Sequence, residues 1–190
     1  MLIVIISVVV LLVILIIGYI ISTQRKLVSV DELCQNAMSQ ISVNLNSRWD
    51  AVMSLAKTAS QYAKHESETI ISAIQQRRMG EVRTAQEANS QQEALTGVLG
   101  RLIAIGEAYP ELKADSLYRE TMDGIREYEE KVRLSRMVFN DTATKYNRIV
   151  RQFPSSIFAS MLGHSKTKDY LQVDDQKKIN YPNIDDAFNS

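Results

Sequence analysis

The chain has 190 residues and a mass of 21.5 kDa, room for one domain of ordinary size. Apolar residues make up 45% of it but aromatics only 7%, with 7 Gly and 3 Pro, a balance that favours long helices over a turn-rich sheet. Equal numbers of basic and acidic side chains, 22 of each, argue against a surface that tracks nucleic-acid phosphates; a single cysteine and two histidines preclude an internal disulfide and a Cys/His metal cage.

The first element is an apolar run from Leu2 to Ile21, interrupted only by Ser7, Gly18 and Tyr19. At roughly 1.5 Å per residue it crosses the roughly 30 Å of a bilayer's hydrocarbon, so the lipid bilayer is the first expected partner. A cleaved signal peptide would carry a basic start, a shorter apolar stretch and a small-residue cleavage site; only Met1 precedes this run, and Ser22, Thr23 and Gln24 follow it. An uncleaved transmembrane anchor is therefore expected. Arg25 and Lys26 flank the run, and basic residues are retained on the cytoplasmic side. The expected location is the cell membrane, single-pass, with a short N-terminus outside and the C-terminal body in the cytoplasm. Beyond residue 26 the chain holds 20 basic and 22 acidic side chains, and no basic patch for lipid headgroups is legible.

Neither glycine nor proline occurs between Gly18 and Gly80. Leu27, Val30, Cys34, Ala37, Ile41 and Leu45 fall three and four apart, and the stripe continues through Val52, Leu55, Ala59, Tyr62, Ala63, Ile70, Ala73 and Ile74. This predicts helix continuing from the membrane to about Arg78, although Ser29 and Glu32 also match a capping box that would start a new helix there. A second helix is predicted from about Val82 to Ala108, burying Leu95, Val98, Leu99, Leu102, Ile103 and Ile105, and ended by Pro110. A third follows Asp115 or Ser116 and runs to about Gln152, with Leu117, Ile125, Tyr128, Val132, Phe139, Ala143, Tyr146 and Val150 on its seam. Ser155 to Leu162 reads as a short amphipathic segment, closed by Gly163 and expected to dock across the bundle end rather than lie in the membrane interface. The fold class is all-α: a transmembrane helix followed by an antiparallel bundle of three to four long helices. The divisions are an anchor with its basic flank over 1–26, the bundle over 27–163 and a polar tail over 164–190.

Ser39-Gln40-Ile41 through Val43 and Leu45 to Arg48-Trp49-Asp50, and Tyr62-Ala63-Lys64-His65-Glu66, resemble the LemA family of bacterial membrane-anchored helix-bundle proteins. Ala108-Tyr109-Pro110-Glu111-Leu112-Lys113-Ala114 looks like the family's inter-helix turn. Phe139-Asn140-Asp141, Tyr146-Asn147 and Phe153-Pro154-Ser155 look like its final-helix signature. Where the family carries a Leu-Ile-Pro-Asn-Leu type sequence, this chain has Ala51-Val52-Met53-Ser54-Leu55, so the proline that would kink the helix near residue 53 is missing. The resemblance implies an integral membrane, cytoplasm-facing scaffold or adaptor, and carries no catalytic residues over.

No motif of known catalytic mechanics emerges. His65-Glu66 begins a zincin motif, but Thr69 stands where the second histidine belongs. Gly163 to Thr167 lacks the first glycine and the preceding strand of a phosphate loop. Gly97, Gly100 and Gly106 sit within a helical pattern, where close helix packing explains them better than a dinucleotide turn. The polar residues that stand out are Arg48, Trp49 and Asp50 on the first helix and Arg136, Asn140 and Asn147 on the third. Arg136, Asn140 and Asn147 read as a hydrogen-bonded network aligning helices, with Arg48, Asp50 or Glu66 as its partners, ahead of a partner-binding stripe; Trp49 reads as filling the core beside a polar edge ahead of anchoring an interface. We therefore expect no enzyme, cofactor or metal, but a scaffold or adaptor working through protein contacts. Its partners would be an unidentified membrane or cytoplasmic protein, or a further copy of itself, and no nucleic acid. The alternative is a signal-transmitting module coupling the membrane helix to the bundle.

Overall fold

The computed structural model describes residues 1–77, 81–164 and 167–171. Six helices follow in order: α1 (Leu2–Ala59), α2 (Lys64–Arg77), α3 (Ala85–Ala108), α4 (Pro110–Ala114), α5 (Ser116–Arg151) and α6 (Ser155–Met161). Among the described residues there is no strand, so the all-α class with a long apolar N-terminal helix stands. The polar tail expected over 164–190 lies, from residue 172 onward, outside the described residues, as do residues 78–80.

Local chemistry sets the helix ends. α1 runs unbroken past Ser29 and residue 53, so the Ser29–Glu32 pair lies inside a helix, and no kink arises where the proline is missing. It stops at Ala59, well short of the expected Arg78. There the Gln61 and Tyr62 N–H groups bond back three residues, to the carbonyls of Thr58 and Ala59. The Thr58 and Ser60 hydroxyls donate to the carbonyls of Ser54 and Lys57, the kind of local competition that loosens a helix end without glycine or proline. α3 opens on a full capping box: the Thr84 hydroxyl accepts the Glu87 N–H at 3.1 Å, and the Glu87 carboxylate accepts the Thr84 N–H at 3.2 Å. Pro110 follows the end of α3, as expected, and also opens α4, where its missing N–H costs nothing. Asp115 then starts α5 by accepting the N–H groups of Leu117 and Tyr118 at 2.8 and 3.3 Å. α6 ends in the glycine cap expected at residue 163, with φ +83°, the His164 N–H reaching the Ala159 carbonyl and the Gly163 N–H that of Ser160.

The chain forms two compact units, and α1 and α5 each contribute to both. The first comprises residues 38–137 and, among the described residues beyond them, Leu171. Within it the Ser42 hydroxyl accepts the Val82 N–H and the Trp49 indole donates to Gln91, so numbers rise together along α1 and α3 and the two are parallel. Asn44 meets Ser135 and Arg48 meets Glu129, an opposite order that makes α5 antiparallel to α1. α2 carries the chain back between α1 and α3, which gives an up-down-up-down bundle. Leu45, Leu55, Leu95, Leu99, Leu102, Leu112 and Ile125 are fully buried in it.

The predicted α3 face is buried as expected. On α5 the seam differs at its start: Leu117 is exposed and Tyr128 half-buried, while Tyr118 and Met122 fill the core. Asp115 as the cap sets the helical phase, and from Tyr118 the spacing of four and three leads to Met122 and Ile125. A side chain at Gly106 would fall on the Tyr118 hydroxyl, so that glycine serves close packing, whereas open space surrounds Gly97 and Gly100, contrary to the packing expected for all three.

The second unit comprises residues 1–37 and 138–170. Residues 2–18 of α1 are exposed throughout, Ile20 is half-buried, and Thr23 and Leu27 are buried. From Leu27 onward α1 buries Cys34 and Ala37, and the end of α5 buries Phe139, Ala143, Tyr146 and Val150. α6 buries Ala159 and sets Phe158 edge-on against Tyr19, ring centroids 5.6 Å apart.

Candidate functional site

In the bundle unit the polar residues singled out from sequence lie mostly inside. Arg48 is completely buried, its Nη2 3.2 Å from a Glu129 carboxylate that is itself 30% exposed. Trp49 is the next residue on α1, also buried, and its indole N–H donates to the buried Gln91 at 3.3 Å. Arg136 reaches across from α5 to donate to the Ala88 carbonyl of α3 at 3.0 Å. These contacts tie α1, α3 and α5 together over about two turns; Trp49, Gln91 and Arg136 gain hydrogen bonds, whereas the buried Arg48 guanidinium meets Glu129 as an ion pair without a hydrogen bond. Asp50, which follows Trp49 on α1, is exposed.

At the far end of the same unit Tyr62, in the turn after α1, donates to Asp115 at 3.1 Å. The two backbone N–H groups at the start of α5 hold the Asp115 carboxyl below its ordinary range, and the hydrogen bond that Tyr62 donates to it holds the Tyr62 phenol above its own. The Glu87 carboxyl is lowered in the same way, chiefly by the Arg83 backbone N–H.

The other unit contains a clamp on the segment after α6. Asn147 donates to the Lys168 carbonyl at 2.9 Å and accepts the Lys168 N–H at 2.7 Å, so one amide side chain holds both backbone groups. The Lys168 ammonium lies 2.6 Å from Asp31 of α1 and 4.9 Å from the centre of the Tyr146 ring. The Tyr146 hydroxyl and His164 Nδ1 are 3.0 Å apart, the donor being set by the imidazole tautomer. Asn140, one turn from Ala143 on α5, is half-buried, and its carbonyl accepts the Thr144 hydroxyl.

This clamp gathers Cys34, Asp31, Lys168, Tyr146 and His164, a set that invites a chemical reading. Burial pushes the Cys34 thiol up, with Lys168 opposing only in part, so at neutral pH it is a protonated, inert side chain. Burial also raises the Tyr146 phenol. Both shifts favour the neutral forms, and the arrangement is suited to holding a segment rather than to transferring protons.

In sequence Arg136, Asn140 and Asn147 fall beside the apolar seam of the third helix with Arg48, Asp50 or Glu66 as their expected partners; the structure gives Arg136 the Ala88 carbonyl, Asn147 the Lys168 backbone and Arg48 the Glu129 carboxylate. Gln91 looks like an ordinary surface residue in sequence, while Glu129 reads there as one of several acidic residues lacking the Glu-x-x-His pairs of a di-metal site, and Lys168 as a basic flank of the 155–162 segment. Gln91 had a usable signal, standing one turn before Leu95 on the buried face of α3.

Comparison with known proteins gives a relative and a family. The magnetosome protein MamQ of Magnetospirillum gryphiswaldense is 30% identical over 70 residues, which are 37% of this chain and 26% of that protein. The chain thus matches about a quarter of that relative's length. The LemA family profile matches residues 37–185, which takes in the whole bundle and leaves out the apolar start of α1. With most of its length matched, the chain belongs to the LemA family.

Proposed function

We propose that the protein is a membrane-anchored helical scaffold or adaptor that works through protein contacts, with its body in the cytoplasm. The observation that carries this is an outward apolar facet on α5: Leu134, Met137 and Val138 are 49, 44 and 56% exposed and stand three and four apart on a helix otherwise rich in charge. Such spacing presents one face to a partner helix or groove. Arg48, Trp49 and Arg136 contact the protein's own helices, and Asn147 its own segment after α6. The orientation rests on Arg25 and Lys26 after the apolar run.

The test is photocrosslinking in intact cells from Leu134 or Val138, with buried Trp49 as the internal control. A discrete partner captured from the α5 positions and lost with Leu134→Asp supports the adaptor; crosslinks only within the chain from every position overturn it. The continuity of α1 from the membrane into the bundle favours one second reading, a transmitter of movement along that helix. A Gly-Gly insertion between Thr23 and Gln24 separates the two: an adaptor keeps its crosslink, whereas a transmitter loses its effect on the partner.

A further inference from the structure

α6 has one face turned in and one face turned out. Phe158 and Ala159 face the protein, while Ile157 and Met161, one turn apart, are 51 and 76% exposed, and Phe153 just ahead of the helix is 76% exposed. This is an unusual amount of uncovered apolar surface for so short a segment, and its position in the unit is informative. Phe158 meets Tyr19, which lies two residues before the end of the apolar run on α1. If residues 2–21 fill the roughly 30 Å of hydrocarbon, Tyr19 lies at its boundary, the level favoured by amphipathic aromatic rings. α6 is held at that same level.

Charge agrees with this placement. Arg25 and Lys26 are exposed on α1, and Arg148 and Arg151 are exposed in the last turns of α5. The Lys168 ammonium reaches both Asp31 of α1 and the Tyr146 ring of α5, which sets these two residues side by side, so α5 runs back toward the membrane and its final arginines arrive near the level of Arg25 and Lys26. No basic patch was legible in sequence because the two pairs are far apart along the chain; the antiparallel return of α5 assembles one.

We propose that α6 is a membrane-interface foot: Phe153, Ile157 and Met161 are immersed at the headgroup–acyl boundary of the bilayer that α1 crosses, beneath Arg25, Lys26, Arg148 and Arg151 set against anionic headgroups. As an independent anchor the segment would bury too little area to hold. Tethered beside α1 it does not need to, because the anchor already supplies the cost of bringing protein and membrane together, and each added contact acts at high effective concentration. The foot fixes the tilt of the body on the membrane, which a single helix leaves free. The proposal rests on α1 spanning the bilayer, and the test reads that separately.

The experiment uses the full-length chain with Cys34→Ala in vesicles of three parts phosphatidylcholine to one part phosphatidylglycerol. Nitroxide labels are placed singly through Leu12→Cys, Ile157→Cys, Met161→Cys and Asp141→Cys, the last exposed on α5 two turns before Arg148. Collision with oxygen is compared with collision with a water-soluble nickel complex. The expected result is a deep signal at 12, a shallow membrane signal at 157 and 161, and a signal closer to water at 141. Water-like signals at 157 and 161 with a deep signal at 12 overturn the foot alone. A water-like signal at 12 overturns the membrane reading with it. Labels at 157 and 161 shielded from both reagents also overturn the foot, since protein then covers the face. Should Cys34→Ala not fold, Ile157→Trp with the native cysteine, quenched by brominated lipid relative to the unsubstituted chain, gives the same decision.

Discussion

At the scale of single residues the most informative position is Arg48, a guanidinium with no exposure facing a carboxylate that is partly wet. Removing the partner strands a buried charge, whereas removing the charge leaves a carboxylate that water can reach. Glu129→Leu is therefore expected to cost about 3 kcal/mol or more, Arg48→Met distinctly less, and the double replacement less than Glu129→Leu alone. Urea unfolding of the four proteins checks the order, and equal costs for the two single replacements would remove the argument. The glycines of α3 make a second contrast. Gly97→Ala and Gly100→Ala enter open space on a helix and are expected to stabilise by roughly 0.5–1 kcal/mol each. Gly106→Ala drives a methyl group onto the Tyr118 hydroxyl and is expected to destabilise, with Tyr118→Phe restoring much of the loss by removing the clashing oxygen. If Gly106→Ala behaves like the other two in thermal unfolding, close packing is not what that glycine provides.

At the scale of elements the helix starts are acid-sensitive. Asp115 at the head of α5 and Glu87 at the head of α3 both have carboxyls lowered in the folded protein by backbone N–H groups. A lowered folded value means the stabilisation is complete above the unfolded carboxyl range and is lost as pH falls through the folded value. The unfolding temperature should drop as pH falls below about 4, and Asp115→Asn, which can still accept these bonds but carries no charge, should flatten part of that drop. An unchanged acid profile in Asp115→Asn would assign the sensitivity elsewhere. The same elements show what sequence reveals. The apolar run, the α3 face, the Asp115 cap and the Gly163 cap follow from local spacing and residue type, and all are legible. The break after Ala59 is not, since it arises from Thr58 and Ser60 hydroxyls competing for carbonyls, a choice that either helix or turn could satisfy until Tyr62 finds Asp115. Partners such as Glu129, Gln91 and Lys168 depend on which helices meet, and on their register, which a single sequence does not display.

At the scale of the whole molecule the question is where membrane protein gives way to water-soluble protein. The change occurs within two turns of α1: no residue from 2 to 18 is buried, Tyr19 touches α6, and Thr23 and Leu27 are covered. The apolar run therefore contributes little to the packing of the bundle, whose fully buried residues begin at Leu27. A chain starting at Ser22 should lose the tendency to sediment with membranes but keep its helix content, and its unfolding temperature should fall only by the few degrees attributable to the lost Tyr19–Phe158 contact, worth about 1 kcal/mol by the usual range for aromatic pairs. Fractionation followed by circular dichroism with heating checks both halves. A shortened chain that is soluble and folded makes α1 two functional lengths in one helix, an anchor and a bundle member joined without a hinge. A shortened chain that unfolds would mean that the apolar run is needed to hold α6 and the end of α5 in place, so that membrane insertion and folding of that unit are one event. The second outcome would strengthen the transmitter reading, because a helix whose membrane end stabilises its far neighbours is also one through which a disturbance in the bilayer reaches them.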